Sequence, residues 1–177
     1  IFKNRTIVIA LSGGFVIGAG MFGGMITIPQ YLQIVHGSTP TMSGVQLLPM
    51  VLGMMIASVL SGQLISRTGN VRIFPIIGVG LMTVALALLS RIGADTPWWQ
   101  LITLMAIFGL GLGNTMQPLT LAVQSSVAPR EIGMATSSAT FFRQMGGTLG
   151  VAVFLSLLFN TLGDNIKNAF LDAAKTP

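Results

Sequence analysis

The chain has 177 residues, of which 52% are hydrophobic and only 7% charged, with a formal net charge of +5. Soluble globular domains carry about a quarter charged residues, and the mean hydropathy here is +0.82, so an ordinary water-soluble fold is excluded for most of the chain. There is no cysteine, which excludes a disulfide framework and any thiolate metal site.

Five runs nearly free of charge follow one another, each approaching or exceeding the roughly 20 residues that cross a bilayer core as a helix. The predicted spans cover 6–35, 42–65, 73–90, 98–127 and 133–159. Residues 1–159 therefore read as one all-α transmembrane bundle of five helices. The first run is too long for a cleavable signal peptide and is not preceded by methionine, so the chain reads as a fragment. The breaks, "HGSTPT", "SRTGNVR", "RIGADTP" and "APREI", hold turn-forming Gly, Pro, Asp and Arg. Being short, they force neighbouring spans to run antiparallel. At about 1.5 Å per residue the first and fourth runs exceed the roughly 30 Å core. Pro29 and Pro118 are the expected kinks.

Lysine and arginine in the loops set the expected orientation. Lys3, Arg5, Arg67, Arg72 and Arg130 fall on one side, and Arg91, Lys167 and Lys175 on the other. This bias places the N-terminus in the cytoplasm and the C-terminus outside. The basic residues are scattered over both membrane faces, so the positive charge calls for no nucleic-acid partner. In the tail, 160–177, Asp164 is the expected N-cap of a short interfacial helix, with Ile166, Phe170 and Ala173 at helical spacing. A disordered end is the other reading of that tail.

Polar side chains within the spans carry the functional signal. In the fourth span Asn114, Gln117 and Gln124 lie close to one helix face. In the first, Gly20, Gly23, Gly24, Thr27, Gln30 and Tyr31 share a side. Such amide-lined faces serve either interhelical hydrogen bonds, averaging about 0.6 kcal/mol, or a wetted substrate cavity. Met116 and Phe15 are candidate apolar contacts for that cavity. Gly109, Gly111 and Gly113 read as close-packing positions, and so do Gly146, Gly147 and Gly150.

The fifth span alone contains a charge, Arg143, near its middle. Thr136, Ala139, Thr140, Gly146, Gly147 and Gly150 share its face. A central arginine costs about 2.5 to 3.5 kcal/mol on insertion scales. The seven Val, Leu and Phe residues between 151 and 159 each return about 0.3 to 0.6 kcal/mol, so the span can insert with Arg143 turned toward other helices. One role is structural, a guanidinium bonded to carbonyls at a helix break. The other lies in a transport path or in joining two halves. Arginine keeps its charge at ordinary pH, so it cannot itself load and release a proton. Asp95, Glu131, Asp164 and Asp172 fall in loops or tail and His36 at a span end. Any proton-carrying acid is therefore expected outside this fragment, its proton affinity tuned by Arg143.

Two segments resemble known family patterns. "GQLISRTGNVR" resembles the loop motif of the major facilitator superfamily, G-x-L-a-D-r-x-G-r-k-r, matched at Gly62, Leu64, Arg67, Gly69 and Arg72. Ser66 stands where the motif has its acid. "QSSVAPREIGMATSSATFFRQMGGTLGVAV" resembles the EmrB/QacA-type drug:proton antiporters with fourteen spans, matched at Gly133, Ala135, Arg143, Gly146, Gly147 and Gly150. The resemblance implies an incomplete six-helix C-terminal bundle in a bacterial inner membrane, whose first and fourth helices line a central cavity. It implies as partners the lipid bilayer, a small hydrophobic substrate, protons and the missing N-terminal half, with no cofactor. The function so implied is export of amphipathic compounds by alternating access. A polytopic enzyme acting on lipid would draw on His36 and Asp95; a non-transporting sensor on the same fold is a third reading.

Overall fold

Backbone groups in hydrocarbon have no water to bond, so an apolar chain of this length satisfies them within helices. The computed structural model describes residues 5–35, 37–69, 71, 73–92 and 96–173. Along them run α1 (Arg5–Val35), α2 (Pro40–Gln46), α3 (Leu48–Thr68), α4 (Ile73–Leu89), α5 (Trp98–Ser125) and α6 (Ile132–Ala173), with a 3-10 turn at Pro129–Glu131 leading into α6. No strand occurs among the described residues. Four stretches are long and apolar enough to cross a membrane: Ile7–Ile34, Pro40–Thr68, Trp98–Ser125 and Pro129–Asn160. The fifth, α4, has 17 residues, at the lower end of the roughly 17–25 that span a bilayer. Four of the five expected spans are thus matched by helices of membrane-crossing length, and the remaining one by a shorter apolar helix.

One helix boundary falls inside an expected span. Both α1 and α5 continue through Pro29 and Pro118. The second pass instead divides at Leu47, between α2 and α3, with proline in the first turn of each. A proline there removes an N–H that has no helical partner anyway. The Thr39 hydroxyl caps α2 by accepting from the Met42 N–H at 3.3 Å. At the other end of the chain, α6 runs 42 residues without interruption to Ala173. Asp164 therefore lies inside α6 and caps no separate helix. Between Asn160 and Ala173 the sequence offers one glycine and no proline, and a single glycine costs about 1 kcal/mol, too little to end a helix.

Packing follows two glycine-lined seams. A Cβ on Gly109 or Gly113 would meet the main chain of Met50 or Met54, so α3 and α5 run parallel with backbones in contact. A Cβ on Gly146 would meet the Phe15 main chain, and one on Gly150 the Ala19 main chain, so α1 and α6 form a second parallel pair. Helix α4 lies antiparallel on α5, where Gly78 meets the Gly111 carbonyl and Gly111 meets Met82. In lipid, where no hydrophobic effect drives helices together, such close van der Waals contact is the main attraction. The two groups join where the Phe108 ring covers Gly24 and where Leu119 lies 3.5 Å from a Cβ placed on Gly14. Leu32, Met50, Met82, Leu101, Phe108 and Leu112 form the buried core around that junction. Half of the α5 apolar window is buried but only 17% of that of α6, which makes α5 the central helix and leaves α6 open on most sides.

Candidate transport site

Arg143 lies on α6 between Pro129 and Asn160, close to the middle of that span. It is half-buried, and its main-chain carbonyl faces Gly18 of α1. Among the described residues no hydrogen bond or ion pair reaches its guanidinium. The hydroxyl beside it is engaged elsewhere: Thr140 donates to the Thr136 carbonyl at 3.0 Å. No helix break supplies carbonyls either, because α6 is continuous through this region. A charged group in hydrocarbon without a partner is costly.

The cavity candidates do not converge on one place. Gly24 meets Phe108 and Gly14 meets Leu119, an antiparallel register that sets Asn114 level with about residue 19 of α1. Gln30 therefore lies about 17 Å further along the axis at 1.5 Å per residue. Asn114 is half-buried, and its Nδ2 donates to the Leu110 carbonyl at 3.1 Å. Gln117 is exposed. Gln124 donates from Nε2 to the Thr136 hydroxyl at 3.4 Å, a link between α5 and α6. Gln30 and Tyr31 instead border two separate cavities near the C-terminal end of α1, of about 280 and 260 Å³. Met116 is half-buried, and Phe15 borders a third cavity of about 430 Å³ with Leu11, Val16 and Phe142.

The loop motif has a local structural reading. Gly69 ends α3 at φ 68°, and its N–H donates to the Ile65 carbonyl at 2.8 Å. Only glycine takes that left-handed position without strain. Leu64 and Arg67 are exposed near the helix end, and Gly62 is half-buried with open space around it. Arg72 lies outside the described residues, as do His36 and Asp95, the pair on which a lipid enzyme would depend.

Sequence reasoning passed over three features. Gly18 and Phe154 stand in apolar runs where no pattern separates them from lipid-facing neighbours. Gln46 carries a buried Oε1 with no hydrogen-bond partner among the described residues, and an amide inside an expected span was the signal for it.

A chain of apolar helices joined by glycine seams, with an arginine near the middle of its last long apolar helix, defines a polytopic α-helical membrane protein of the transporter type. It belongs to the Major Facilitator Superfamily, whose sequence profile matches residues 1–151. The chain is 40% identical over 160 residues to an uncharacterized MFS-type transporter of Mycobacterium tuberculosis, covering 90% of this chain and 23% of that protein. It is 33% identical over 159 residues to a tetracycline resistance determinant of Streptomyces rimosus, covering 90% and 46%. To the multidrug transporter protein MdtP of Bacillus subtilis it is 38% identical over 168 residues, covering 94% and 30%. The chain thus spans less than half the length of each of these relatives.

Proposed function

We propose that this chain forms most of one helical half of a bacterial plasma-membrane exporter that exchanges hydrophobic or amphipathic compounds for protons by alternating access. Its N-terminus lies in the cytoplasm and its C-terminal tail outside. The relatives described as multidrug and tetracycline-resistance proteins support that class of cargo. The observation that carries the reading is Arg143, held half-buried at mid-span with no partner among the described residues. A carboxylate from the other half of the transporter answers that charge, and proton binding to the carboxylate alternates with the ion pair. Asn114 and Gln117, on the α5 face nearest this level, are the polar contacts offered to cargo there. The chemistry for a lipid-modifying enzyme would rest on His36 and Asp95 alone, a thin basis beside this one.

Expressing the full-length protein in an efflux-deficient bacterium and following ethidium accumulation tests the reading. Accumulation falls in expressing cells and recovers when a protonophore collapses the gradient. Equal accumulation with and without the protein overturns export, and efflux that survives the protonophore overturns proton coupling. Cysteines at Arg67 and Arg130 should react with impermeant maleimide only from the cytoplasmic side, and one at Arg91 only from outside.

A further inference from the structure

Two cavities flank the C-terminal half of α1 and share the same dividing wall. The first, about 280 Å³, is bordered by Ile26, Gln30, Val151, Leu155 and Leu158. The second, about 260 Å³, is bordered by Ile28, Tyr31, Leu86, Leu89 and Leu101. Gly23, Thr27 and Phe154 border both. The Phe154 ring lies over Gly23, where its Cδ2 would be 2.8 Å from an added Cβ. The partition is therefore one aromatic side chain resting on a residue that has no side chain to hold it.

Many helix hydroxyls bond their own helix one turn back, as Thr83 does to the Val79 carbonyl and Thr103 to the Trp99 carbonyl, each at 2.8 Å. Thr27 makes no hydrogen bond among the described residues. Among the described residues neither lining contains a charged side chain.

We propose that these are two chambers of one binding site for a neutral, elongate amphiphile, an apolar body carrying a hydroxyl or carbonyl, and that Phe154 is the partition that turns aside to admit it. Each chamber alone is smaller than the roughly 300 to 1,000 Å³ typical of small-molecule sites; joined, they fall within that range. Apolar walls on α1, α4 and α6 bury the body, while Thr27 meets the polar group from either chamber. Gln30 and Tyr31 offer polar ends in one chamber each. The absence of lining charge selects against an ionised group. This site rests on the export reading for its purpose, since it would hold cargo away from Arg143.

The test uses full-length transporter in lipid nanodiscs, photolabelled with 3-azioctanol and mapped by mass spectrometry. Adducts concentrate on residues 23–31 and 151–158, above the level at the exposed Ile76 and Val84 of α4. Thr27→Val lowers labelling about five-fold, the loss of one ordinary hydrogen bond, while Thr83→Val leaves it unchanged. Phe154→Ala admits a diazirine-bearing neutral steroid that the wild type excludes, and Phe154→Trp reduces 3-azioctanol labelling. Adducts spread evenly over the lipid-facing helices, or labelling indifferent to both Thr27→Val and Phe154→Trp, overturn the site; so does protection of the chambers by another helix of the chain or a bound lipid. Labelling requires no turnover, so the two readings fail separately. Labelled protein that does not export removes the export reading alone, and export without labelling removes the site alone.

Discussion

Gly18 on α1 lies against the main-chain carbonyl of Arg143 on α6, so closely that a Cβ at residue 18 would occupy the space of that oxygen. The depth and facing of the only charge in the fifth span are thereby tied to a glycine 125 positions earlier in the chain. Backbone contact on one side of α6 leaves the arginine side chain to the flank of the seam, where it is half-buried.

Substituting Gly18 with leucine should force α1 and α6 apart. The expected cost is about 1 to 3 kcal/mol, as for other overpacked sites, read as a lower melting temperature of the purified full-length transporter. Gly13→Leu is the matched control, because a Cβ there meets nothing within 4 Å. Equal melting temperatures for the two variants would remove the seam from the account of stability.

Arg143→Ala should abolish efflux while protein levels in the membrane stay normal. Arg143→Lys keeps the charge but loses the planar five-donor fork, so partial activity is expected. Ethidium efflux from intact cells, normalised to immunoblot signal, measures both. Efflux at the wild-type rate in the alanine variant would strip this residue of a transport role.

Gln124→Ala should cost little, about 0.6 kcal/mol for one interhelical hydrogen bond, and leave the range of exported compounds unchanged. Thr136→Val should cost a similar amount. Because the two side chains are partners at 3.4 Å, the double variant should be less destabilised than the sum of the single changes. An additive double variant, or an altered cargo range in Gln124→Ala, contradicts the assignment of Gln124 to the helix contact.

Gly69→Ala should destabilise the end of α3 by about 1 to 2 kcal/mol, the cost of a side chain in the left-handed region. Gly69→Asn should be milder, since asparagine tolerates that conformation better. Comparing the melting temperatures of the two variants is sufficient, and an alanine variant as stable as the wild type would contradict the observed φ of 68°.

The number of helices, their approximate limits and the family were legible because each rests on local information. An apolar run between turn residues reports a span without reference to anything distant, and the glycines at 109, 113, 146 and 150 stand out within such runs. The elbow at Leu47 was obscured because "GVQLLPM" reads as unbroken apolar helix, although Pro49 marks its position. The continuity of α6 past Asn160 was missed for the opposite reason: Asp164 looks like a cap, but nothing nearby stops the preceding helix.

By itself, the sequence determined that this protein lives in a membrane as a set of helices and that one of them carries a lone arginine within an otherwise uncharged run. Hydropathy and turn chemistry act residue by residue along the chain, so they are written in its order. Only the tertiary structure decided that Gln30 and Asn114 stand about 17 Å apart along the bundle at 1.5 Å per residue, and that Gln124 turns to Thr136. It also decided that Phe154 closes over Gly23. Those relationships depend on the register in which two helices meet. Register is chosen by which glycine admits which backbone, a fit between surfaces far apart in sequence.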